Sequence, residues 1–213
     1  MTTIGIIGSG HVGSNLATAA IAHGYDVVLS NSQGPGSLAG LVAELGPRAS
    51  AATAAEASAA GDFVIVAIPL TTIGQVPVEP LAGKVVIATI NYFPQRLGHV
   101  PEIDDGTTTA PGLLQAHLPA SKVVRAFSMI DAADMSGDGH PDGDPKRRAL
   151  ALAGDDAAAK QLVTGLYHEF GFDALDIGGL DESWRIEAGQ PAFVVRQNLA
   201  ELKANVARAK RGA

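Results

Sequence analysis

The chain has 213 residues, 46% of them hydrophobic, and a formal net charge of -7. That is enough apolar material for a full core, and the acidic balance argues against a nucleic-acid binder. Cysteine is absent, which excludes disulfides, thiolate metal sites and a thiol nucleophile.

The apolar run Ile4–Ile7 leads into Gly8-Ser9-Gly10-His11-Val12-Gly13. A helix-length segment follows, closed by Gly24, and Tyr25–Ser30 is a second apolar run. This order is a βαβ unit with G-x-G-x-x-G at its first turn. Gly8 permits the tight turn, Gly10 lets a pyrophosphate approach the backbone, and Gly13 lets helix and strand pack closely. The helix N-terminus then offers unpaired N–H groups and the positive end of its dipole to the phosphates.

Asn31–Ser37 reads as a loop, with Ser37 placed to cap a helix through Leu45 that Gly46-Pro47 ends. Ala49–Ala51 is a short strand, and Thr53 and Glu56 have capping-box spacing at the start of a helix to Ala60. Phe63–Ile68 and Lys84–Ile90 are continuous apolar runs of the kind that buried parallel strands show. Residues 91–96 and 98–108 read as loops, Pro111 opens a helix to His117, and Lys122–Phe127 is a strand.

Residues 131–147 read as a long exposed loop. Arg148–Ala153 returns to strand, Asp155 caps a helix to Phe170, and Phe172–Ile177 is the last strand. Pro191 starts a final helix through Lys210, with Val194, Val195, Leu199, Leu202 and Val206 near one face. The alternation predicts an α/β fold: a doubly wound, mostly parallel sheet of Rossmann type. It forms one nucleotide-binding domain over 1–213, with a core at 1–130 and a small C-terminal extension at 131–213 ending in a helix. No apolar run is long enough for a membrane span and no basic, apolar leader precedes the first strand, so the expectation is a cytoplasmic protein without membrane or nucleic-acid partners.

A carboxylate usually ends the second strand of NAD sites; here Ser30 and Asn31 are neutral. Asn31 and Ser32 can donate hydrogen bonds to a 2′-phosphate, so NADP is the expected cofactor, although Gln33 stands where a phosphate-pairing arginine would suit and Arg48 is a distant substitute. Ligands in open α/β sheets sit beyond the carboxyl ends of the strands. Ala67-Ile68-Pro69 and Asn91 should therefore line the nicotinamide half, and Ser128-Met129 the substrate.

Gly8–Gly13, Ser30–Pro35, Ala67–Leu70, Asn91–Arg96 and Ala153–Asp156 together resemble the NADPH-dependent coenzyme F420 reductase family, which includes reduced-F420:NADP oxidoreductases and their bacterial relatives. Membrane ferric reductases of the STEAP type carry a similar domain. The resemblance implies a small dimeric Rossmann protein that passes a hydride between NADP and a deazaflavin, coenzyme F420. It assigns Ser9, Gly10, His11 and Val12 to the pyrophosphate, Asn31 and Ser32 to the 2′-phosphate, and Ala67 with Pro69 to the nicotinamide. The chain departs from its bacterial relatives at Gln33, where they carry arginine, and at Ser128-Met129, where they read Asn-Thr.

No Ser–His–Asp order, metal spacing or carboxylate pair stands out. His11 flanks the cofactor turn, His23 suits a helix C-terminus, and His99 and His140 lie in loops. Lys146-Arg147-Arg148 reads either as a contact for an anionic deazaflavin tail or as a solvated strand start. Hydride transfer needs positioning more than a protein acid or base. The expected function is NADPH-dependent reduction of a flavin-like or deazaflavin acceptor. The alternatives are reduction of a small imine or carbonyl, for which the one terminal helix offers only Lys203 and Lys210 at exposed spacing in place of an acid-donating helical domain, and a non-catalytic NADP-binding module. The apolar stripe on the final helix implies a homodimer or, failing that, a cap on its own sheet.

Overall fold

The computed structural model describes residues 1–211. In chain order the elements are β1 (Thr3–Ile7), α1 (His11–Ala22), β2 (Asp26–Ser30), α2 (Ala39–Leu45), β3 (Ala49–Ala51), α3 (Ala54–Ala60), β4 (Phe63–Val66) and β5 (Val85–Ala88). Two short helices follow, α4 (Pro94–Leu97) and α5 (Pro101–Asp104), then α6 (Ala110–His117) and β6 (Lys122–Arg125). The chain closes with β7 (Ala149–Gly154), α7 (Ala157–Glu169), β8 (Asp173–Asp176) and α8 (Leu199–Ala207).

The strands form one eight-stranded sheet in the order β3-β2-β1-β4-β5-β6-β7-β8. Every neighbouring pair is parallel except β6–β7. The chain builds outward from β1 to β3, then crosses back to lay β4 on the other side of β1. This reversal opens a crevice above the C-terminal ends of β1 and β4.

β4 shows how the sheet buries both faces. Phe63 and Ile65 join the apolar layer beneath α1 and α7, whereas Val64 and Val66 join the layer beneath α6. All four are buried, which is why the strand reads as an unbroken apolar run.

The structure revises four sequence expectations. The final helix starts at Leu199, not Pro191. Asn198 caps it, accepting from the N–H groups of Ala200 and Glu201 while Glu201 accepts from the Asn198 N–H at 2.9 Å. Val194 and Val195 therefore lie before the helix and are exposed. Leu202 is buried in the chain's own core, and Leu199 and Val206 pack against it. Ser37 does not cap α2. It lies in the 3-10 turn Pro35–Leu38, and its hydroxyl turns back to Asn31 and to the carbonyl of Gly34. Asp156, not Asp155, caps α7, while Asp155 accepts from the N–H of Leu180 at 3.0 Å.

The basic run is the fourth revision. Lys146 stays exposed, but Arg147 and Arg148 are buried and internally paired. Strands β7 and β8, within the C-terminal extension, continue the sheet.

Candidate functional site

Gly8 ends β1 with φ +99°, and a Cβ there would stand 2.2 Å from the carbonyl oxygen of Ala67. Gly13 is more constrained, since its Cβ would stand 1.8 Å from the carbonyl oxygen of Gly8. Gly10 differs from both: a Cβ would meet nothing within 4 Å. Two of the fingerprint glycines thus serve the turn's own packing, and Gly10 faces open space. Gly10 is also the N-cap of α1, with no side-chain hydrogen bond sealing the helix end and no acidic residue in the first turn. The positive end of the α1 dipole is left open for an anion.

A cavity of about 380 Å³ lies over this turn. It is lined by Gly8, Ser9, Gly10, Asn31, Ser32, Ala67, Ile68 and Pro69, eight of the eleven residues expected from the sequence. Ser30, Thr72 and Gln75 also line it. Thr72 and Gln75 were not foreseen. They sit in the 3-10 turn Leu70–Gln75 that follows Pro69, a stretch without a helix or strand period to draw attention.

The other three expected residues stand apart from the cavity lining. His11 is exposed on the first turn of α1, and Val12 packs its side chain against the core, leaving only its backbone to serve a phosphate. Asn91 is half-buried and held from two sides. Its Oδ1 accepts from Arg125 Nη2 at 2.8 Å, and its Nδ2 donates to the Ser128 carbonyl at 2.8 Å.

Arg125 is fully buried at the end of β6. Its guanidinium also donates to Ser128 Oγ at 2.9 Å and to Glu187 Oε1 at 3.0 Å. Burial pulls its pKa below the ordinary arginine value, and the Glu187 carboxylate pushes it back up. The pair ties the segment before Glu187 to the ends of β5 and β6. No local pattern announces it, because Arg125 and Glu187 are 62 residues apart.

At the adenosine end, Asn31 Oδ1 accepts from the N–H of Gln33 at 3.0 Å and from Ser37 Oγ at 3.2 Å, while Asn31 Nδ2 donates to Ser37 Oγ at 2.9 Å. Asn31 therefore shapes the loop as well as facing the cavity; Ser32 and Gln33 are exposed. Arg48 cannot stand in for a phosphate-binding arginine. It donates to the Gly24 carbonyl at 2.9 Å and pairs with Asp26 at 3.2 Å, at the start of β2 rather than its end.

The remaining candidates are structural. His23 stacks on Phe170 with ring centroids 4.8 Å apart, and His99 pairs with Asp104. A separate cavity of about 370 Å³ near the C-terminal end of α1 is lined by His23, His140, His168 and Arg147. Next to it Asp142, His168 and Asp173 converge as metal ligands would. Their centre is already taken by a cation, since the Arg147 guanidinium meets Asp142 at 3.0 Å, Asp173 at 2.8 Å and His168 Nδ1 at 3.2 Å. Arg148 pairs with Asp134 at 3.1 Å. Neither arginine reaches outward to an anionic tail. Lys203 lies on α8, which packs against β7 and β8 rather than β1 and β4, and Lys210 follows that helix. No helix among the described residues is long and apolar enough to cross a membrane.

The strand order and the open glycine turn at its reversal are those of Rossmann nucleotide-binding oxidoreductases. Residues 3–92 match the family described as NADP oxidoreductase, coenzyme F420-dependent. Hypothetical protein SMa0349 of Sinorhizobium meliloti has a similar structure, with a TM-score of 0.80 at 30% identity over 93% of this chain and 96% of that one. A protein of Arthrobacter sp. FB24, provisionally assigned as an F420-dependent NADP reductase, gives a TM-score of 0.73 at 25% identity, over 86% of this chain and 87% of that one. Metalloreductase STEAP3 of Rattus norvegicus is 30% identical over 192 residues, 87% of this chain and 36% of that protein. The first 92 residues thus carry the pattern of the coenzyme F420-dependent NADP oxidoreductase family. The chain spans 36% and 53% of the lengths of the two curated relatives it matches.

Proposed function

We propose that the protein is an NADPH-dependent oxidoreductase whose acceptor is the deazaflavin F420 or a flavin-like ring. The observation that carries this reading is the 380 Å³ cavity, which joins an unsealed helix N-terminus to a second-strand end without a carboxylate. The residues fit NADP: the space over Gly10 admits a phosphate where a side chain would block it. The N–H groups of Ser9, Gly10, His11 and Val12 would hold the pyrophosphate, and Asn31 with Ser32 the 2′-phosphate. Ala67, Ile68 and Pro69 would back the nicotinamide, while Asn91, held by Arg125 and Ser128, lies outside the cavity lining.

NADPH supplies a hydride; the acceptor gains it together with one proton from water, and NADP⁺ is left. The chain's part is to orient two rings. This suits a crevice with no ionisable side chain among its lining residues. A homodimer, implied by the family resemblance, belongs to the same reading and is tested by light scattering.

The deciding experiment mixes the protein with NADPH and oxidised F420 and follows absorbance, with FMN, FAD and a cyclic imine as parallel acceptors. F420- or flavin-dependent turnover supports the reading. NADPH binding without turnover of any acceptor would leave a nucleotide-binding module instead.

A further inference from the structure

We propose that the cavity between the C-terminal end of α5 and Trp184 is a binding site for a small organic cation of the guanidinium type. The protein's own Arg211 occupies it as a stand-in. The cavity shares no lining residue with the one over the glycine turn, so the inference goes beyond the reading above and stands independently of it.

The cavity has a volume of about 630 Å³, within the range of small-molecule sites. Its charged lining residues are Asp104, Asp105, Glu187 and Arg211. Arg125 matches the Glu187 carboxylate at 3.0 Å. The two aspartates are held differently. Asp104 accepts from the Tyr92 hydroxyl and pairs with His99, and Asp105 Oδ1 accepts from the N–H of Thr107 at 2.8 Å. These hydrogen bonds keep both carboxyls below the ordinary aspartate value, so both are anionic at neutral pH. Trp184 adds an indole face, which attracts cations through its ring quadrupole. An anion would be repelled by the same wall.

The chain itself shows what this chemistry accepts. The Arg211 guanidinium carbon lies 5.6 Å from the centre of the Trp184 ring. Gly106 leaves it room, since a Cβ there would stand 3.1 Å from Arg211 Nε. Gln190 brings the backbone into place: its Nε2 donates to the Lys210 carbonyl at 2.8 Å, and its Oε1 accepts the Lys210 N–H at 3.1 Å. Arg185 also stacks on Trp184, at 4.5 Å, but it pairs with Glu182 and does not line the cavity. A free guanidinium-bearing molecule would meet the same indole and carboxylates once Arg211 withdraws. Its planar head keeps its charge at every physiological pH.

Trp184 is the only tryptophan of the chain, so tryptophan emission reads this site directly. The experiment titrates methylguanidine, up to about 100 mM at constant ionic strength, into wild type and Arg211→Ala. Arg211 is exposed, so its truncation leaves the core intact. Arg211→Ala should give a saturable change in emission. The wild type should need about fivefold more ligand or above, because the tethered guanidinium competes at high local concentration. Adding Asp105→Asn, which keeps the acceptor for Thr107 and removes the charge, should weaken binding about threefold. Methylurea, the neutral isostere, should give no saturable change. No saturation in Arg211→Ala would overturn the proposal. So would an equal response to methylurea, equal affinity in wild type and Arg211→Ala, or no effect of Asp105→Asn.

Discussion

The hydroxyl of Tyr167 accepts the backbone N–H of Phe127 at 2.9 Å and donates to the carbonyl of Ala151 at 3.0 Å. The two rings meet edge to face at 4.7 Å. Phe127 sits at φ +54°, and this clamp is what holds the chain in that conformation as it leaves β6. Burial pushes the Tyr167 hydroxyl's pKa well up, so it remains a neutral donor across the physiological range.

Tyr167→Phe should leave the Phe127 N–H buried without a partner and cost about 1–3 kcal/mol. Urea denaturation measures it directly. A drop of several degrees in melting temperature should accompany it, at about 2–4 °C per kcal/mol for a chain of this size.

Two glycine substitutions should separate folding from binding. Gly13→Ala forces a Cβ onto the Gly8 carbonyl and should disturb the fold and NADPH binding together. Gly10→Ala finds free space within the protein, so melting should change little while NADPH affinity falls tenfold or more, on the order of 1.4 kcal/mol. Equal affinity in Gly10→Ala and wild type would remove the phosphate from this turn.

Asn31→Asp keeps an acceptor for Gln33 and Ser37 and so preserves the loop. It adds a negative charge facing the cavity. Repulsion of a 2′-phosphate should weaken NADPH binding by about 1–4 kcal/mol and spare NADH. Calorimetric titration of both cofactors checks this, and equal losses would show that Asn31 does not face the 2′-position.

Arg125→Met should be strongly destabilising, by about 3–5 kcal/mol, because it strands the Glu187 carboxylate. Adding Glu187→Leu should recover part of that loss. A double-mutant cycle by chemical denaturation gives the coupling, and the two changes adding independently would argue against the pair.

The Tyr92 hydroxyl, donating at 2.7 Å, together with His99, holds the Asp104 carboxyl below the ordinary aspartate value. The folded pKa is depressed, so the stabilisation is present above the unfolded aspartate pKa. It is lost as pH falls through the folded value. Tyr92→Phe should move the Asp104 titration upward toward the ordinary value in an NMR experiment and reduce the acid resistance of the 92–104 segment.

The first βαβ unit was legible because each part announces itself locally: an apolar strand, a glycine turn, a helix closed by glycine. Thr53 and Glu56 form the capping box their spacing suggested. Asn198 and Glu201 carry the same kind of signal. The start at Pro191 missed it, because apolar residues on both sides of the true boundary happened to share a helical period. The role of the arginines was not legible. Arg125, Arg147 and Arg148 look like surface charges until distant carboxylates are brought to them by folding, and a local pattern does not record partners 62, 26 and 14 residues away. The part of the site made by the Leu70–Gln75 turn was hidden for a related reason, since irregular backbone has no period to read.

The antiparallel pairing of β7 onto β6 has a consequence for assembly. Without it, β6 would end the sheet as a bare template of backbone donors and acceptors. With β7 and β8 added, the outermost strands are β3, three residues long, and β8, four residues long with an aspartate at each end. Edges this short, one of them flanked by charge, recruit another strand poorly. Two copies of this chain that meet in solution should do so through helices and loops, leaving each sheet closed to its neighbour.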